Sequence, residues 1–500
     1  MSGGVGPSGG IVRGSGVLMP LFSLPSPHGI GTMGKEAYDF IDFLHAAGQK
    51  YWQMLPIGPT GYGDSPYQSF SAHAGNPYFI DLDLLVAQGL LSPTDLSASG
   101  LTDQPGTIDY GNLYAHRFGL LRKAVEAIAP DDEAFRAFCK ENAYWLKEYA
   151  LFMSLKEAFG MTPCQQWPGK LRRREKVALW FAEEKFAREI HVWSCLQFLF
   201  FEQWEKLKTY ANRRNIRIIG DIPIYVAPDS SDLWAHPKLF QLNRSGWISA
   251  VAGCPPDYFN ADGQLWGNPL YRWKAHKETH FDWWTSRLRH ARVLFDAVRI
   301  DHFRGFSSYY AIPVDSETAA TGAWKRGPGR DFVDAVQRAL PKYMIIAEDL
   351  GFLTAEVRWL LESSGFPGMK VLQFAFDADG DNEYLPHHYK RNSVVYTGTH
   401  DNPTTPEWER TATAAEINFA REYLGVAESA SLTEAMIRSC MASVSAICII
   451  PIQDWLGLGG EARINKPASA EGNWCFRMTS GMLTEALRDK IERMTRHCGR

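Results

Sequence analysis

The 500-residue chain lacks the features that mark several classes of protein. It has eight cysteines, but no two of them form a CxxC pair, so neither a zinc knuckle nor a dithiol redox motif is predicted. Lysine and arginine are scattered without a basic block and the net charge is −4, so we expect no nucleic-acid partner. No apolar run approaches the roughly 18 residues that cross a membrane, so we expect no membrane partner.

The first sixteen residues are rich in glycine and lack the hydrophobic region of a signal peptide. We therefore expect residues 1–16 to be a flexible leader. Scattered unpaired thiols are typical of a reducing compartment. The expected location is the cytoplasm, or the plastid stroma if the source is a plant or alga, while the oligomeric state stays open.

Aromatic side chains are abundant, with 17 tryptophans and 20 tyrosines. The apolar face of a sugar ring packs on such rings, and Tyr and Trp also keep a polar edge. A large aromatic core would use the same residues, so this abundance permits a carbohydrate site without requiring one.

Eight short apolar runs, rich in β-branched and aromatic residues, predict buried parallel strands. Helical patterns lie between most of them. Eight strands that alternate with helices are typical of a closed (β/α)8 TIM barrel, and an open doubly wound sheet is the alternative. The runs are 16–24, 51–57, 216–225, 297–303, 343–349, 369–376, 393–400 and 446–453.

The uneven spacing of these runs predicts two large insertions in a single catalytic barrel over residues 17–500. The first, about 58–215, is mostly helical in pattern and suggests a subdomain beside the barrel. The second, about 227–274, is rich in Pro, Gly, Asp and Trp and is interpreted as a long, functional loop. The chain ends in a helical pattern, so no C-terminal β domain is predicted.

Four acidic residues lie at or just beyond the carboxyl ends of different predicted strands: Asp221, Asp301, Glu348 and Asp401. Barrel active sites form at that face. Any one of these acids could cap a helix or form a loop ion pair. Buried carboxylates are costly, however, so a set that converges on one rim favours a catalytic use.

Arg299 and Asp301 are two residues apart on one predicted strand, so their side chains point to the same face. The guanidinium would hold Asp301 ionised, as a glycosyl nucleophile requires. Glu348, with anionic neighbours, would keep its proton and serve as general acid and base. A separation of about 5–5.5 Å between the two carboxyls would predict retention of anomeric configuration. His302 and His400 could bond sugar hydroxyls, although a single histidine more often has a structural role.

Two other patterns are interpreted as turns. The GxGxxG at 29–34 lacks the acidic residue that a dinucleotide site needs at the end of the next strand. The acidic run at 377–381 has Asn382 where a calcium loop needs glycine. We therefore expect no cofactor and no metal.

The segments around the acids resemble those of a known family. RIDHFRGF at 299–306, IAEDLG at 346–351 and YTGTHDN at 396–402 are similar to the catalytic segments of 4-α-glucanotransferases, or amylomaltases, of glycoside hydrolase family 77. The likeness continues in GPTGYGDSPY at 58–67, GDIPIY at 220–225, PPDYF at 255–259 and GQLWGNP at 263–269. It covers nearly the whole chain in order, apart from the leader.

This resemblance implies that Asp301 is the nucleophile, Glu348 the acid/base and Asp401 the stabiliser of the transition state. It implies a loop over the acceptor side that includes Gln264 and Trp266, and a more distant glucan groove at Tyr62. The full set of implied substrate-binding residues is Tyr62, Ser65, Tyr67, Asp221, Asp257, Phe259, Gln264, Trp266, Arg299, His302, His400 and Asn465.

One segment departs from the family pattern. Where the family has Met, Gly and a second Trp, this chain has Ile464, Ala468 and Phe476. Asn465 is retained, so we expect local repacking with activity preserved.

The resemblance implies a cofactor-free transferase that acts on maltooligosaccharides, amylose and glycogen. An α-1,4-glucan hydrolase with the same carboxylates is the nearest alternative, because a covalent glucosyl enzyme can also react with water. The other alternative is a catalytically silent glucan-binding barrel, which the three intact acids disfavour.

Overall fold

The computed structural model describes residues 12–61, 63–256, 262–351, 353–377, 381–467, 469 and 471–500. Within these ranges the strands are β1 Gly14–Leu18, β2 Tyr51–Gln53, β3 Arg217–Ile222, β4 Ala250–Cys254, β5 Gln264–Pro269, β6 Ala297–Ile300, β7 Ser308–Pro313, β8 Ala323–Arg326, β9 Met344–Ala347, β10 Gly368–Val371, β11 Ser393–Tyr396 and β12 Ile447–Pro451. Eight of them close into a parallel barrel in the order β1-β12-β11-β10-β9-β6-β3-β2.

Helices surround the barrel and fill its longer connections. In the described residues they are α1 Lys35–Ala46, α2 Leu82–Ala87, α3 Pro93–Ser97, α4 Tyr110–Val125, α5 Glu133–Glu141, α6 Leu146–Ala158, α7 Gly169–Arg172, α8 Lys176–Lys185, α9 Ala187–Arg213, α10 Ser231–Ala235, α11 Trp273–Glu278, α12 Asp282–Leu294, α13 Arg330–Ala339, α14 Ala355–Ser364, α15 Thr405–Thr411, α16 Ala414–Leu424, α17 Leu432–Ala442, α18 Ile452–Leu456 and α19 Glu485–His497. Within that part of the chain, none is long and apolar enough to span a membrane.

The predicted (β/α)8 barrel is confirmed, and closure excludes the open sheet. Each of the eight apolar runs overlaps one barrel strand, although β1 and β10 begin before their runs. The strands are shorter than the runs because the chain turns away at their carboxyl ends. After β1, for example, residues Leu21–Ser23 form a 3-10 turn whose apolar side chains stay buried.

The leader boundary differs from the prediction. β1 begins at Gly14, inside the segment 1–16 that composition assigned to a flexible leader. Gly14 pairs with Ile447 of β12, and Gly16 lies where a Cβ atom would come within 2.5 Å of Tyr51. Glycine is needed at this close approach of backbones, so a composition that is typical of flexibility here belongs to a barrel strand.

Helices α2–α9 lie between β2 and β3, in the region where the sequence predicts a helical insertion. The longest, α9, is held to the barrel layer by buried side chains: Trp204 donates a hydrogen bond from Nε1 to the carbonyl of Leu294 at 2.9 Å. The ring of Tyr210 packs edge-on against Tyr38 of α1, with centroids 5.0 Å apart.

A second sheet, antiparallel and four-stranded, has the order β5-β4-β7-β8. The interpretation of 227–274 as a loop is therefore wrong in part, because β4, β5, α10 and α11 lie there. β7 and β8, which follow β6, were not predicted at all. Their residues lack the continuous apolar pattern of barrel strands: β8 is exposed along its whole length, and β5 is half exposed.

Candidate active site

The register of the barrel brings the candidate acids together. β3 pairs with β6 so that Asp221 lies beside Arg299, and β6 pairs with β9 so that Ile300 lies beside Ala347. Asp301 and Glu348 each follow one member of that second pair. Because neighbouring strands lie about 4.8 Å apart, the two acids leave the barrel side by side.

Arg299 joins two of the carboxylates. Its Nη1 donates to Oδ2 of Asp221 at 2.7 Å, and its Nη2 donates to Oδ1 of Asp301 at 2.8 Å. Arg299 is only 4% exposed and Asp221 only 3%. Burial alone would lower the pKa of Arg299, but the two carboxylates raise it well above its usual value. The guanidinium is therefore a permanent cation below the rim.

Asp301 is the more accessible partner, with 30% of its side chain exposed. Burial of the carboxyl raises its pKa, and the positive charge of Arg299 lowers it. The negative charges of Asp221 and Asp401 raise it further. The guanidinium alone would lower the pKa of Asp301, as the sequence predicts, whereas the net shift of this pKa is upward. The contact with Arg299 nevertheless makes Asp301, rather than Glu348, the carboxyl whose anion is directly stabilised by a cation.

Glu348 is held by two main-chain amides. The N–H of His302 donates to Oε2 and the N–H of Leu350 donates to Oε1, both at 2.7 Å. Burial, reinforced by the charge of Asp301, raises the pKa of Glu348 to about 7. His302 has a φ of 51°, in the left-handed region that non-glycine residues rarely adopt. The chain therefore turns sharply at the residue whose amide holds Glu348.

Asp401 lies beyond β11 and is positioned by a different set of contacts. Its Oδ1 accepts a hydrogen bond from Nδ2 of Asn465 at 2.6 Å, and Nε2 of His400 lies 3.3 Å from the same oxygen. Arg463 donates to the main-chain carbonyl of Asp401 at 3.0 Å. The Asp401 side chain is 43% exposed, so it faces the open side of the rim.

Tyr67 connects the two groups of acids. Its hydroxyl donates to Oδ2 of Asp221 at 2.8 Å, and its ring stacks on His400 with centroids 5.1 Å apart. Trp474 packs against both rings, 5.8 Å from Tyr67 and 6.1 Å from His400. Ser65 accepts the N–H of Tyr67 at 3.3 Å. A continuous chain of contacts thus runs from Asp301 around the rim to Asp401.

An aromatic wall stands next to the acid pair. The ring of Trp266 packs edge-on against His302 at 4.8 Å, and Tyr225 lies 6.5 Å from Trp266. Gln264 fixes the indole by accepting a hydrogen bond from Nε1 of Trp266 at 2.9 Å. Burial lowers the pKa of His302 to about 3, so its imidazole is neutral at physiological pH and can donate to or accept from a hydroxyl.

Most of the predicted site residues are therefore connected through contacts at one rim. Tyr62, Asp257 and Phe259 lie outside the described residues. Sequence reasoning missed Arg463 and Trp474 as site residues, although both stand in the segment that contains Asn465. It also missed the amides of His302 and Leu350, because main-chain donors carry no signature in side-chain identity. In the described part of the chain, no group of three or more His, Cys, Asp or Glu side chains is arranged to hold a metal ion.

A closed (β/α)8 barrel with two carboxyls at neighbouring strand ends, one paired with an arginine and one with a raised pKa, is typical of enzymes that cleave glycosidic bonds. Comparison with known proteins narrows this class. The family model for 4-alpha-glucanotransferase matches residues 19–484. The chain belongs to this family, glycoside hydrolase family 77, and is an enzyme of the transferase class.

Individual members of the family are similar to this chain over nearly their whole length. The chain is 46% identical over 487 residues to a 4-alpha-glucanotransferase of Clostridium butyricum, covering 96% of this chain and 100% of the relative. It is 48% identical over 484 residues to one of Thermus thermophilus, covering 94% and 96%. The amylomaltase of Streptococcus agalactiae, solved in complex with acarbose, superposes with a TM-score of 0.95 at 41% identity, covering 98% of this chain and 99% of that one.

Proposed function

We propose that this enzyme transfers segments of α-1,4-linked glucan between maltooligosaccharides or amylose chains by double displacement, through a covalent glycosyl–Asp301 intermediate. The observation that carries the assignment of roles is the unlike environment of two adjacent carboxyls. Asp301 accepts a hydrogen bond from a buried cation, whereas Glu348 accepts from two main-chain amides and has a pKa of about 7. When the surroundings of two neighbouring carboxyls favour the anion of one and the protonated form of the other, the first is suited to act as nucleophile and the second as acid.

The first half of the reaction cleaves the donor. Glu348 gives its proton to the glycosidic oxygen while the carboxylate of Asp301 attacks the anomeric carbon. The carbon–oxygen bond breaks, the reducing-end fragment leaves with the proton, and the remaining glucan is esterified to Asp301. The transfer leaves Glu348 as an anion, which its two amide donors stabilise.

The second half transfers the glucan to an acceptor. The ionised Glu348 takes the proton of the 4-hydroxyl at the nonreducing end of an acceptor, and that oxygen attacks the anomeric carbon. The ester to Asp301 breaks, the α-1,4 bond forms and Glu348 is protonated again. Two inversions at one carbon retain the configuration.

Asp401 is proposed to bind hydroxyls of the donor sugar and to stabilise positive charge in the oxocarbenium-like transition state. Asn465 and His400 hold its carboxylate toward the open side of the rim. Asp221 and Arg299 lie beneath, and Tyr67 forms the side of the same subsite. These contacts supply a polar floor for a single glucose ring.

Transfer requires that an acceptor be held well and water excluded. Trp266, packed on His302, provides an apolar face beside the acid/base. We propose that the segment about 227–274 forms the acceptor side, together with Phe259 and Gln264. Glycogen is a further expected partner, and the cytoplasm, or the plastid stroma of a plant or alga, is the proposed compartment.

Incubation with maltotriose tests this function. Transfer gives glucose and a ladder of longer oligomers while the total number of reducing ends stays constant. A rise in reducing ends without elongation would indicate a hydrolase and contradict the proposal. No change in the products over long incubation would indicate a binding protein.

A further inference from the structure

A second, larger groove lies on the barrel rim, apart from the polar floor of the donor site. It has a volume of about 1170 Å³, and we call it the tryptophan groove. This volume is above the roughly 300–1,000 Å³ typical of a pocket for one small ligand, so it suits an oligomer. Its lining includes Trp324, Trp359, Arg304, Lys325, Arg326 and Thr354.

Two partly exposed tryptophans line this groove, and the ring of Trp324 also contacts Arg304 and Tyr310. Trp359 is 58% exposed on α14, whereas Val357 and Leu360 of the same helix are buried. Trp324 is 42% exposed on the edge strand β8. Neither indole is needed to fill the core, and both lie where solvent or a ligand must cover them.

The tryptophan groove begins at the catalytic elements. Arg304 follows the nucleophile Asp301 by three residues, and its guanidinium lies 4.1 Å from the ring centre of Trp324. Helix α14, which carries Trp359, is the first helix after the acid/base Glu348. Pro255 and Pro256, which enter the acceptor-side segment, also line the groove. The groove is thus lined in part by the segments that follow β6 and β9, the strands after which Asp301 and Glu348 stand.

We infer that the tryptophan groove binds the distal part of a neutral α-glucan acceptor, with glucose rings packed on the faces of Trp359 and Trp324. The inference deepens the proposed function and rests on it. Flat indole faces with polar edges nearby are suited to the alternating apolar and hydroxyl surfaces of a glucan.

The charged side chains that line the tryptophan groove, among them Glu356, are partly compensated within the protein. Arg330 donates to Asp334 at 2.7 Å, and Asp331 pairs with Lys277 at 2.5 Å, so both are already compensated. Arg304 lies flat on an indole. Lys325 and Arg326 lie on exposed β8, where their N–H groups can donate to sugar hydroxyls.

The experiment measures kcat/KM for amylose and for maltotriose and compares their ratio among four proteins. Trp359→Ala removes the platform, and the ratio should fall about fivefold because a long chain loses one stacking contact. Trp359→Phe restores an aromatic face and should recover most of the ratio. Trp180→Ala is the matched control, because Trp180 is 56% exposed on α8, remote in sequence from the groove.

Each outcome is decisive. A wild-type enzyme that elongates maltotriose, with the same ratio in Trp359→Ala, would overturn the groove assignment and leave the proposed function standing. A wild-type enzyme that fails to elongate maltotriose would refute the function itself. An equal fall in Trp180→Ala would show that loss of any surface indole has this effect. Competition by inorganic phosphate against amylose alone, with an unchanged ratio in Trp359→Ala, would assign the groove to an anion.

Discussion

Two buried arginines at opposite ends of the barrel are stabilised in different ways. At the catalytic rim, Arg299 donates to the carboxylates of Asp221 and Asp301. At the other end, Arg500 is 8% exposed and donates to main-chain carbonyls, among them those of Gly14 and Ala446 at the starts of β1 and β12. Arg299 pairs with side-chain carboxylates, whereas Arg500 satisfies main-chain acceptors.

The surroundings shift the pKa values of the two guanidinium groups in opposite directions. Burial lowers the pKa of Arg500, with neighbouring groups too weak to reverse it, whereas the carboxylates beside Arg299 overcome burial and raise its pKa. Buried charge is costly, and at the rim its proposed use is to stabilise the anion of Asp301. At the opposite end the benefit is structural, because unpaired buried carbonyls would cost free energy.

The largest expected effect is at Asp301, the proposed nucleophile. Asp301→Asn keeps the shape of the side chain but removes the charge, so kcat for maltotriose disproportionation should fall by about 10⁴-fold or more. Asp489→Asn, at an exposed position on α19, is the matched control and should be fully active. An active Asp301→Asn protein would refute the assigned nucleophile.

The two arginines can be compared directly by Arg299→Met and Arg500→Met. Breaking the buried ion pairs at Arg299 should cost about 3–5 kcal/mol of unfolding free energy and abolish most activity. Loss of the carbonyl contacts of Arg500 should cost about 2–4 kcal/mol but leave kcat/KM of the folded enzyme unchanged. Urea titration and kinetics on the same samples check both. A catalytic defect in folded Arg500→Met would contradict the proposed separation of roles.

The pH dependence sharpens the contrast between the two carboxyls. Glu348 must be protonated to act as acid, so kcat/KM should fall tenfold per unit as the pH rises beyond its pKa of about 7. Asp301 must be ionised, and because its pKa is raised, the acid limb should lie above its ordinary value of 3.8. Glu348→Gln should abolish the alkaline limb in whatever activity remains. An alkaline limb that persists in this variant would assign it to another group.

The barrel could be predicted because its strands are buried on both faces and form continuous apolar runs. The four acids could be placed at the rim because each ends or follows such a run. β7 and β8 could not, since exposed strands of a peripheral sheet have no such pattern. The raised pKa of Asp301 could not be predicted either, because its burial depends on how distant segments of the chain close over it. The amides of His302 and Leu350 that hold Glu348 are main-chain donors, which residue identity does not signal.

The smallest predicted effect tests whether contacts at the rim are catalytic or merely structural. Asn465 and Asn473 lie in one segment, but only Asn465 bonds a proposed catalytic acid, while Asn473 bonds main-chain groups of Lys466 and Ser469. Asn465→Ala frees the half-exposed carboxylate of Asp401 to move, so kcat should fall about fivefold, equivalent to about 1 kcal/mol, with little change in unfolding free energy. Asn473→Ala should lower the melting temperature instead and leave kcat nearly unchanged. If both variants lose activity in proportion to lost stability, the contact to Asp401 serves the fold of the segment rather than the transition state.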